Sequence, residues 1–498
     1  MKRFLSVFLI LTIIVSLSGC NLIGGKKNLK INGVNIKEYS IVCDTEGLDY
    51  NMRAAEYIRD SIKSLTKKDI SIVDDSTPVG EYEIIVGETS RAMSVELNEK
   101  TEGVEFSMLS KNGSVALEGD YFVIAAAAYY FAETYVKGGN VDIPDGVTVR
   151  EPVVKEARNF IMLIGDGMGV YQSKLFDYMT DESGFSDGED EFYGYMLPYH
   201  GYARTDSYVE DDDGILTGGT TDSAASGTAL ATGYKTVYGS VGIDKDGKDL
   251  KSLTELANEL GKATAVISTD KDTGATPSAF SAHAPNRDDI TEILLDQNVL
   301  KGNGTIIQCV NRSSCNAKSV KDVEEDITNT LNTLAKDEDG FFLMYEEAHI
   351  DKKSHQQDMD NTFLALIRFN QAIALFMEYA FYNPDTMVVI TADHETGGLL
   401  PTADGDKLAY TVDDAHTSAN VPVFAWGFDT DFFGNERVVE NVEIAKFFAA
   451  EMGVSDFGDP SDLWYEDIYG DTGEDGEGDN VPEAPNKDGV TLPTIPIP

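Results

Sequence analysis

The pattern that most narrows the fold is a repeated one: a short run of apolar residues, then an oxygen- or nitrogen-bearing side chain just past its end. Phe160–Ile164 leads to Asp166, Phe341–Tyr345 to Glu346, and Met387–Thr391 to Asp393 and His394. Ala263–Ser268 and Val423–Trp426 read as strands of the same kind, and Leu253–Leu260 and Thr362–Tyr379 read as helices between them. Wholly apolar runs are expected of strands covered on both faces, and their alternation with helices predicts an α/β domain: a doubly wound, mostly parallel sheet with helices on both sides. Ligands of such sheets bind beyond the carboxyl ends of the strands, which is where these polar residues fall.

The chain has 498 residues, enough for more than one domain. Its 86 Asp and Glu against 39 Lys and Arg give a net charge of −47, which repels nucleic acid and anionic membrane and excludes both as expected partners. It also repels a phosphorylated substrate at long range, so a phosphate site must build its positive potential locally.

Residues 1–19 read as a signal peptide, with Lys2 and Arg3 before the apolar run Phe4–Val15. The ending Leu17-Ser18-Gly19-Cys20 resembles a bacterial lipobox, which implies cleavage before Cys20, lipid attachment there, and a tether over 20–30. The mature protein would then be a membrane-anchored lipoprotein outside the cytoplasm. Cys309 and Cys315 are close enough in sequence to pair in an oxidising compartment, and Cys43 reads as a buried strand residue. Residues 31–150 read as a small α/β accessory domain, a spacer or binding module with no chemistry of its own. It has strands at Tyr39–Cys43, Ile70–Val73 and Tyr82–Val86 and a helix from Ile124 to Val136. Residues 151–455 read as a second, larger α/β domain that carries the strand-end residues above, and 456–498 as an acidic, Gly/Pro-rich disordered tail.

The chemistry rests on ordered motifs: Asn159-Phe-Ile-Met-Leu-Ile-Gly-Asp-Gly-Met-Gly169, Thr221-Asp-Ser-Ala-Ala-Ser226, Ala275-Thr-Pro277, Phe342-Leu-Met-Tyr-Glu346, Ile350-Asp-Lys-Lys-Ser-His355, Thr391-Ala-Asp-His394 and His416-Thr. Together they resemble the alkaline phosphatase family. The resemblance implies a phosphate monoester hydrolase of broad range, with two zinc ions and one magnesium ion. Asp351, His355 and His416 would hold one zinc, and Asp166, Asp393, His394 and Ser223 the second. Asp166, Thr276 and Glu346 would hold the magnesium. Residue chemistry agrees: hydroxyl and carboxylate oxygens suit magnesium and imidazole suits zinc, and Asp351 and His355 share one face of a helix. Ser223 would be the nucleophile, forming a phosphoserine, near a helix N-terminus that favours an anion. Arg287, in Ala282-His-Ala-Pro-Asn-Arg287, would fork two phosphate oxygens. The resemblance also allows a homodimer.

One position departs from the family. Members commonly carry Asp or His two residues before the threonine of Ala-Thr-Pro, and here Gly274 stands there. The third metal loses that outer side chain, and Lys352, with no carboxylate at 274 to pair with, is expected to turn toward phosphate. Two other readings remain: a phosphodiesterase of the same superfamily, and a catalytically inactive surface-binding lipoprotein.

Overall fold

Strand and helix patterning resolves into two main sheets sharing one long helix. The computed structural model describes residues 29–45, 49–97, 103–139, 142–179, 191–210, 216–271, 273–289, 306–309 and 317–460. Cys20, Cys315, and the tail beyond 460 lie outside the described residues.

The smaller sheet has strands β1 (Ser40–Cys43), β2 (Ile72–Asp74), β3 (Glu83–Val86), β4 (Phe106–Lys111), β5 (Ser114–Glu118) and β6 (Gly146–Arg150) in the order β2-β1-β3-β5-β4-β6. Cys43 is buried at the end of β1. Three of these strands were not expected from sequence. The β4–β5 hairpin turns on Asn112-Gly113, both with positive φ, a pairing that matches the right-handed twist of the flanking strands. Helices α1 (Asp49–Thr66) and α2 (Ile124–Phe131) cover one face, and α2 runs into a wider π-turn, Ala132–Lys137, before Gly138.

The larger sheet holds β7 (Asn159–Gly165), β8 (Tyr199–Arg204), β9 (Ala263–Ser268), β10 (Ile306–Cys309), β11 (Phe341–Glu347), β12 (Thr386–Thr391), β13 (Val421–Trp426) and β14 (Arg437–Glu440). Its order is β10-β9-β11-β7-β12-β13-β8-β14. All neighbours pair in parallel except β13, which runs against both β12 and β8. The α/β, mostly parallel sheet expected from the apolar runs is therefore present. Residues of β7, β11 and β12 are buried throughout. Around the sheet lie α3 (Ser223–Thr232), α4 (Leu253–Glu259), α5 (Ala275–Ala279), α6 (His349–His355), α7 (Met359–Tyr382) and α8 (Asn441–Glu451).

Helix α7 is apolar on nearly every side, including Phe363, Leu366, Phe369, Ile373, Phe376 and Phe381. A helix of that kind is covered all round. Here one side packs on β7, β11 and β12 and the other on α2 of the small domain. Tyr57 stacks on Tyr382 with ring centroids 4.3 Å apart, Phe122 packs on Phe381 and Tyr193, and Arg53 forks the carboxylate of Glu378, 3% exposed. Each fully buried large side chain here stabilises by about 1.5–3 kcal/mol. The small domain therefore shares a core with the larger one.

Candidate active site

The adjacent parallel strands β9, β11, β7 and β12 deliver their carboxyl ends to one place, and the candidate residues gather there. Asp166 follows β7, Glu346 sits at the end of β11, and Asp393 and His394 follow β12. Gly167 lets the chain turn sharply after Asp166: its φ is +73°, and a Cβ there would lie 2.8 Å from the Cα of Asp351. Its N–H donates to Asp393 Oδ1 at 3.1 Å, tying the β7 and β12 ends together.

Two clusters result. In the first, His355 Nε2 and His416 Nε2 lie 3.0 Å apart, and each points at Asp351 Oδ1, at 3.2 and 3.6 Å. His416 lies in a short strand, His416–Thr417, paired with Glu395–Thr396. Its Nδ1 sits 2.9 Å from the Thr221 carbonyl, which fixes the ring's orientation. His355 Nδ1 lies 3.0 Å from Asp414 Oδ1, close enough for an ion pair but without hydrogen-bond geometry. Two imidazole nitrogens and a carboxylate oxygen converging on one point form a donor set that a cation can occupy. In the second cluster Asp166, Asp393 and His394 bring ligand atoms within 4.8 Å of one another, and the His394 ring stacks on His416 at 3.6 Å between centroids. Thr396 Oγ1 joins the clusters, 2.6 Å from Asp351 Oδ1 and 3.2 Å from His394 Nδ1.

Electrostatics sharpen the fit. Burial, with the neighbouring Asp393, Asp351 and Glu346 carboxylates, pushes the Asp166 carboxyl well above its usual range. Burial takes Glu346 up to about 7 and Asp393 up to about 6. Burial and the His416 ring take His394 down to about 3, so it is neutral and ready to be a ligand. Asp351 is held well below its usual range because hydrogen bonds from His355 and His416 outweigh burial. Asp166 Oδ1, Asp393 Oδ2 and Thr276 Oγ1 are buried with no hydrogen-bond partner. Crowded, buried acids and orphaned oxygens are costly unless a cation offsets them. The residues therefore fit divalent metals: imidazoles and carboxylates around Asp351 and His394, oxygens alone around Asp166, Thr276 and Glu346.

Ser223 is buried at the first position of α3, with its Oγ 3.1 Å from His394 Nε2. The helix cap is Asp222, not the serine: its carboxylate accepts the Ala225 N–H at 3.1 Å. Asp222 also accepts the Gly239 N–H at 3.0 Å and pairs with Arg287 Nη1 at 2.8 Å, so it aims the guanidinium across the mouth of the site. Sequence reasoning gave Asp222 no role, although an Asp directly before a helix is a capping signal.

Lys352 is not without a carboxylate partner. A carboxylate does meet it, from a different position: Lys352 Nζ lies 2.5 Å from Asp270 Oδ2, just past the end of β9. Asp270 is anchored in turn by its N–H on Ser268 Oγ at 3.0 Å, and the Ser268 hydroxyl donates to Glu346. Lys352 is thus held beside the oxygen-rich corner, and reaching phosphate would require it to leave Asp270.

A family model described as alkaline phosphatase matches residues 157–317 and 300–415. The chain belongs to the alkaline phosphatase family. It is similar to alkaline phosphatase 3 of Bacillus subtilis (strain 168), 30% identical over 301 residues, a match covering 50% of this chain and 63% of that protein. It is also similar to the solved alkaline phosphatase of the Antarctic bacterium TAB5, at 25% identity and a TM-score of 0.50, covering 60% of this chain and 99% of that one. A variant of the TAB5 enzyme with magnesium bound in its M3 site matches at 24% identity and a TM-score of 0.51, over 61% of this chain and all of that one, and shares the fold.

Proposed function

We propose that the chain is a metal-dependent phosphate monoester hydrolase that works through a phosphoserine on Ser223. The observation that carries this reading is where the Ser223 hydroxyl sits: at a helix N-terminus, between the Asp222–Arg287 clamp and the buried ligand clusters. Asp351, His355 and His416 would hold one zinc, Asp166, Asp393 and His394 a second, and Asp166, Thr276 and Glu346 a magnesium. When bound, such ions lower the pKa of the serine hydroxyl and neutralise charge on phosphate oxygens.

The chain's own residues supply the rest. Arg287 binds two phosphate oxygens and turns phosphorus toward Ser223. The Ser223 oxygen bonds to phosphorus as the ester P–O bond breaks and the alcohol leaves. Backbone N–H groups at the start of α3 favour the anion that results. Water then attacks the phosphoserine, the serine P–O bond breaks, inorganic phosphate departs, and the hydroxyl takes back a proton. Because these contacts are to phosphate and not to the alcohol, the substrate range is broad. We place the protein outside the cytoplasm, held by lipid on Cys20.

Hydrolysis of p-nitrophenyl phosphate and of its bis-ester, with and without chelator, tests the reading. The expected result is monoester activity that chelation and Ser223→Ala each abolish. Preference for the diester favours the phosphodiesterase reading, and no hydrolysis with metals bound favours the inactive binding protein.

A further inference from the structure

Two full charges lie in the core behind the site: Glu347 at 0% and Arg368 at 1% exposure. Glu346 and Glu347 are consecutive at the end of β11, so they point to opposite faces of the sheet. Glu346 turns into the site and Glu347 turns back toward the middle of α7, where Arg368 forks it, with Nε 2.6 Å from Oε2 and Nη2 paired with Oε1. A buried pair of this kind gains little stability over apolar residues of similar volume, because desolvating both charges offsets their attraction. Its use must lie elsewhere, and its other bonds show where.

Glu347 is the knot of the strand ends that carry the site. Its Oε1 accepts the Thr269 hydroxyl at 3.1 Å and the His349 N–H at 3.0 Å. Thr269 follows β9, and its Oγ1 accepts the Ala348 N–H at 3.0 Å, while its own N–H reaches the Glu346 carbonyl at 3.1 Å. His349 begins α6, the helix that bears Asp351 and His355. The Glu347 carbonyl accepts the Asp166 N–H at 3.1 Å. One residue therefore ties the ends of β7, β9 and β11 to the first turn of α6.

Resting on the metal-site reading above, we infer that Glu347 and Arg368 are a positioning pair: they fix the oxygen-rich corner (Asp166, Glu346) against the imidazole cluster (Asp351, His355), and so set metal affinity and not overall stability. The pair touches neither metal nor substrate. It acts through the backbone that presents the ligands, and supporting partners of this kind change metal affinity by about 10- to 100-fold when removed.

The test replaces both charges together, Glu347→Leu with Arg368→Met, in the full-length chain, with Arg368→Lys as a second variant that keeps the charge and loses the fork. Calorimetric titration with magnesium chloride and with zinc chloride, thermal melting, and kcat and KM for p-nitrophenyl phosphate are read on each. The double variant is expected to melt within a few degrees of wild type, to bind magnesium about 10- to 100-fold more weakly, and to lose kcat with KM little changed; Arg368→Lys falls between. A double variant that folds and keeps wild-type metal affinity and kcat overturns the inference. Should the double variant not fold, Arg368→Lys decides: weakened magnesium binding supports the inference, and wild-type binding overturns it. Since metal titration needs no phosphate ester, wild type that binds metal without hydrolysing ester refutes the enzymatic reading alone, and wild type that binds no metal overturns both.

Discussion

Removing the Asp270 carboxylate isolates what restrains Lys352. The pair is 2.5 Å long, with the lysine side chain 37% and the aspartate 21% exposed, so solvent screens it and its strength lies near the upper end of the range for surface pairs, about 1 kcal/mol. That energy is what Lys352 gives up to leave Asp270 for a bound phosphate. In Asp270→Asn the restraint is gone, and at 1.4 kcal/mol per tenfold the protein should bind inorganic phosphate about fivefold more tightly. Competitive inhibition of p-nitrophenyl phosphate hydrolysis by phosphate, at fixed ionic strength, measures this directly. The gain should vanish in a Lys352→Ala background, because without the ammonium there is nothing to release. Phosphate binding unchanged or weakened in Asp270→Asn, or the same gain without Lys352, would refute the reasoning. Restoring a carboxylate at Gly274 is a poorer experiment: a Cβ there would stand 3.1 Å from the Lys271 carbonyl oxygen and 3.2 Å from Pro277 Cγ.

The acids raised to about 7 (Glu346) and about 6 (Asp393) have folded pKa values above their unfolded ones. Their contribution to the metal-free fold is therefore fully present below about pH 4 and is lost as pH rises through 7. Because metals bind the ionised forms, the rise in melting temperature on adding zinc and magnesium should grow between pH 5 and 8; a pH-independent rise counts against the cation site. Gly167→Ala forces a side chain into a left-handed position, 2.7 Å from Thr396 Oγ1, and should cost more than about 1 kcal/mol in urea unfolding and lower bound metal; an unchanged midpoint contradicts the close approach. Arg53→Met strands the Glu378 carboxylate between the domains and should cost about 3–5 kcal/mol, seen as a lower melting temperature of a single transition; two separate transitions in wild type would deny the shared core.

Sequence exposed the centre of the fold and hid its margins, for a physical reason. Strands β7, β9, β11 and β12 are covered on both faces, so their apolar runs are unbroken and conspicuous. Near the opposite edge β8 reads Tyr-His-Gly-Tyr-Ala-Arg and β14 Arg-Val-Val-Glu, mixed patterns that propensity alone does not separate from loops. The β4–β5 hairpin carried a readable turn signal in Asn112-Gly113 that hydrophobic periodicity overlooks. In the site, residues whose types announce metal chemistry were legible one by one. Asp222, Asp270, Thr396 and Glu347 were not, because each acts by holding another residue, and which residue it holds is decided only when distant strand ends meet.

That division bears on how an anionic protein binds an anion. The cations placed at the site mouth, Arg287 and Lys352, are each already matched by a carboxylate, Asp222 and Asp270. Behind them lie Asp166, Glu346, Asp351 and Asp393, in a chain of net charge −47. With its protein charges alone the site is negative and repels phosphate, so bound divalent ions must supply the attraction as well as the activation of Ser223. Substrate binding and metal binding should therefore fail together. Equilibrium dialysis with labelled inorganic phosphate should show no measurable affinity after chelation, and recovery on adding back zinc and magnesium, in wild type and in Ser223→Ala alike. Phosphate bound by the chelated protein at its metal-loaded affinity would mean that Arg287 and Lys352 suffice, and that the metal clusters serve some purpose other than attracting phosphate.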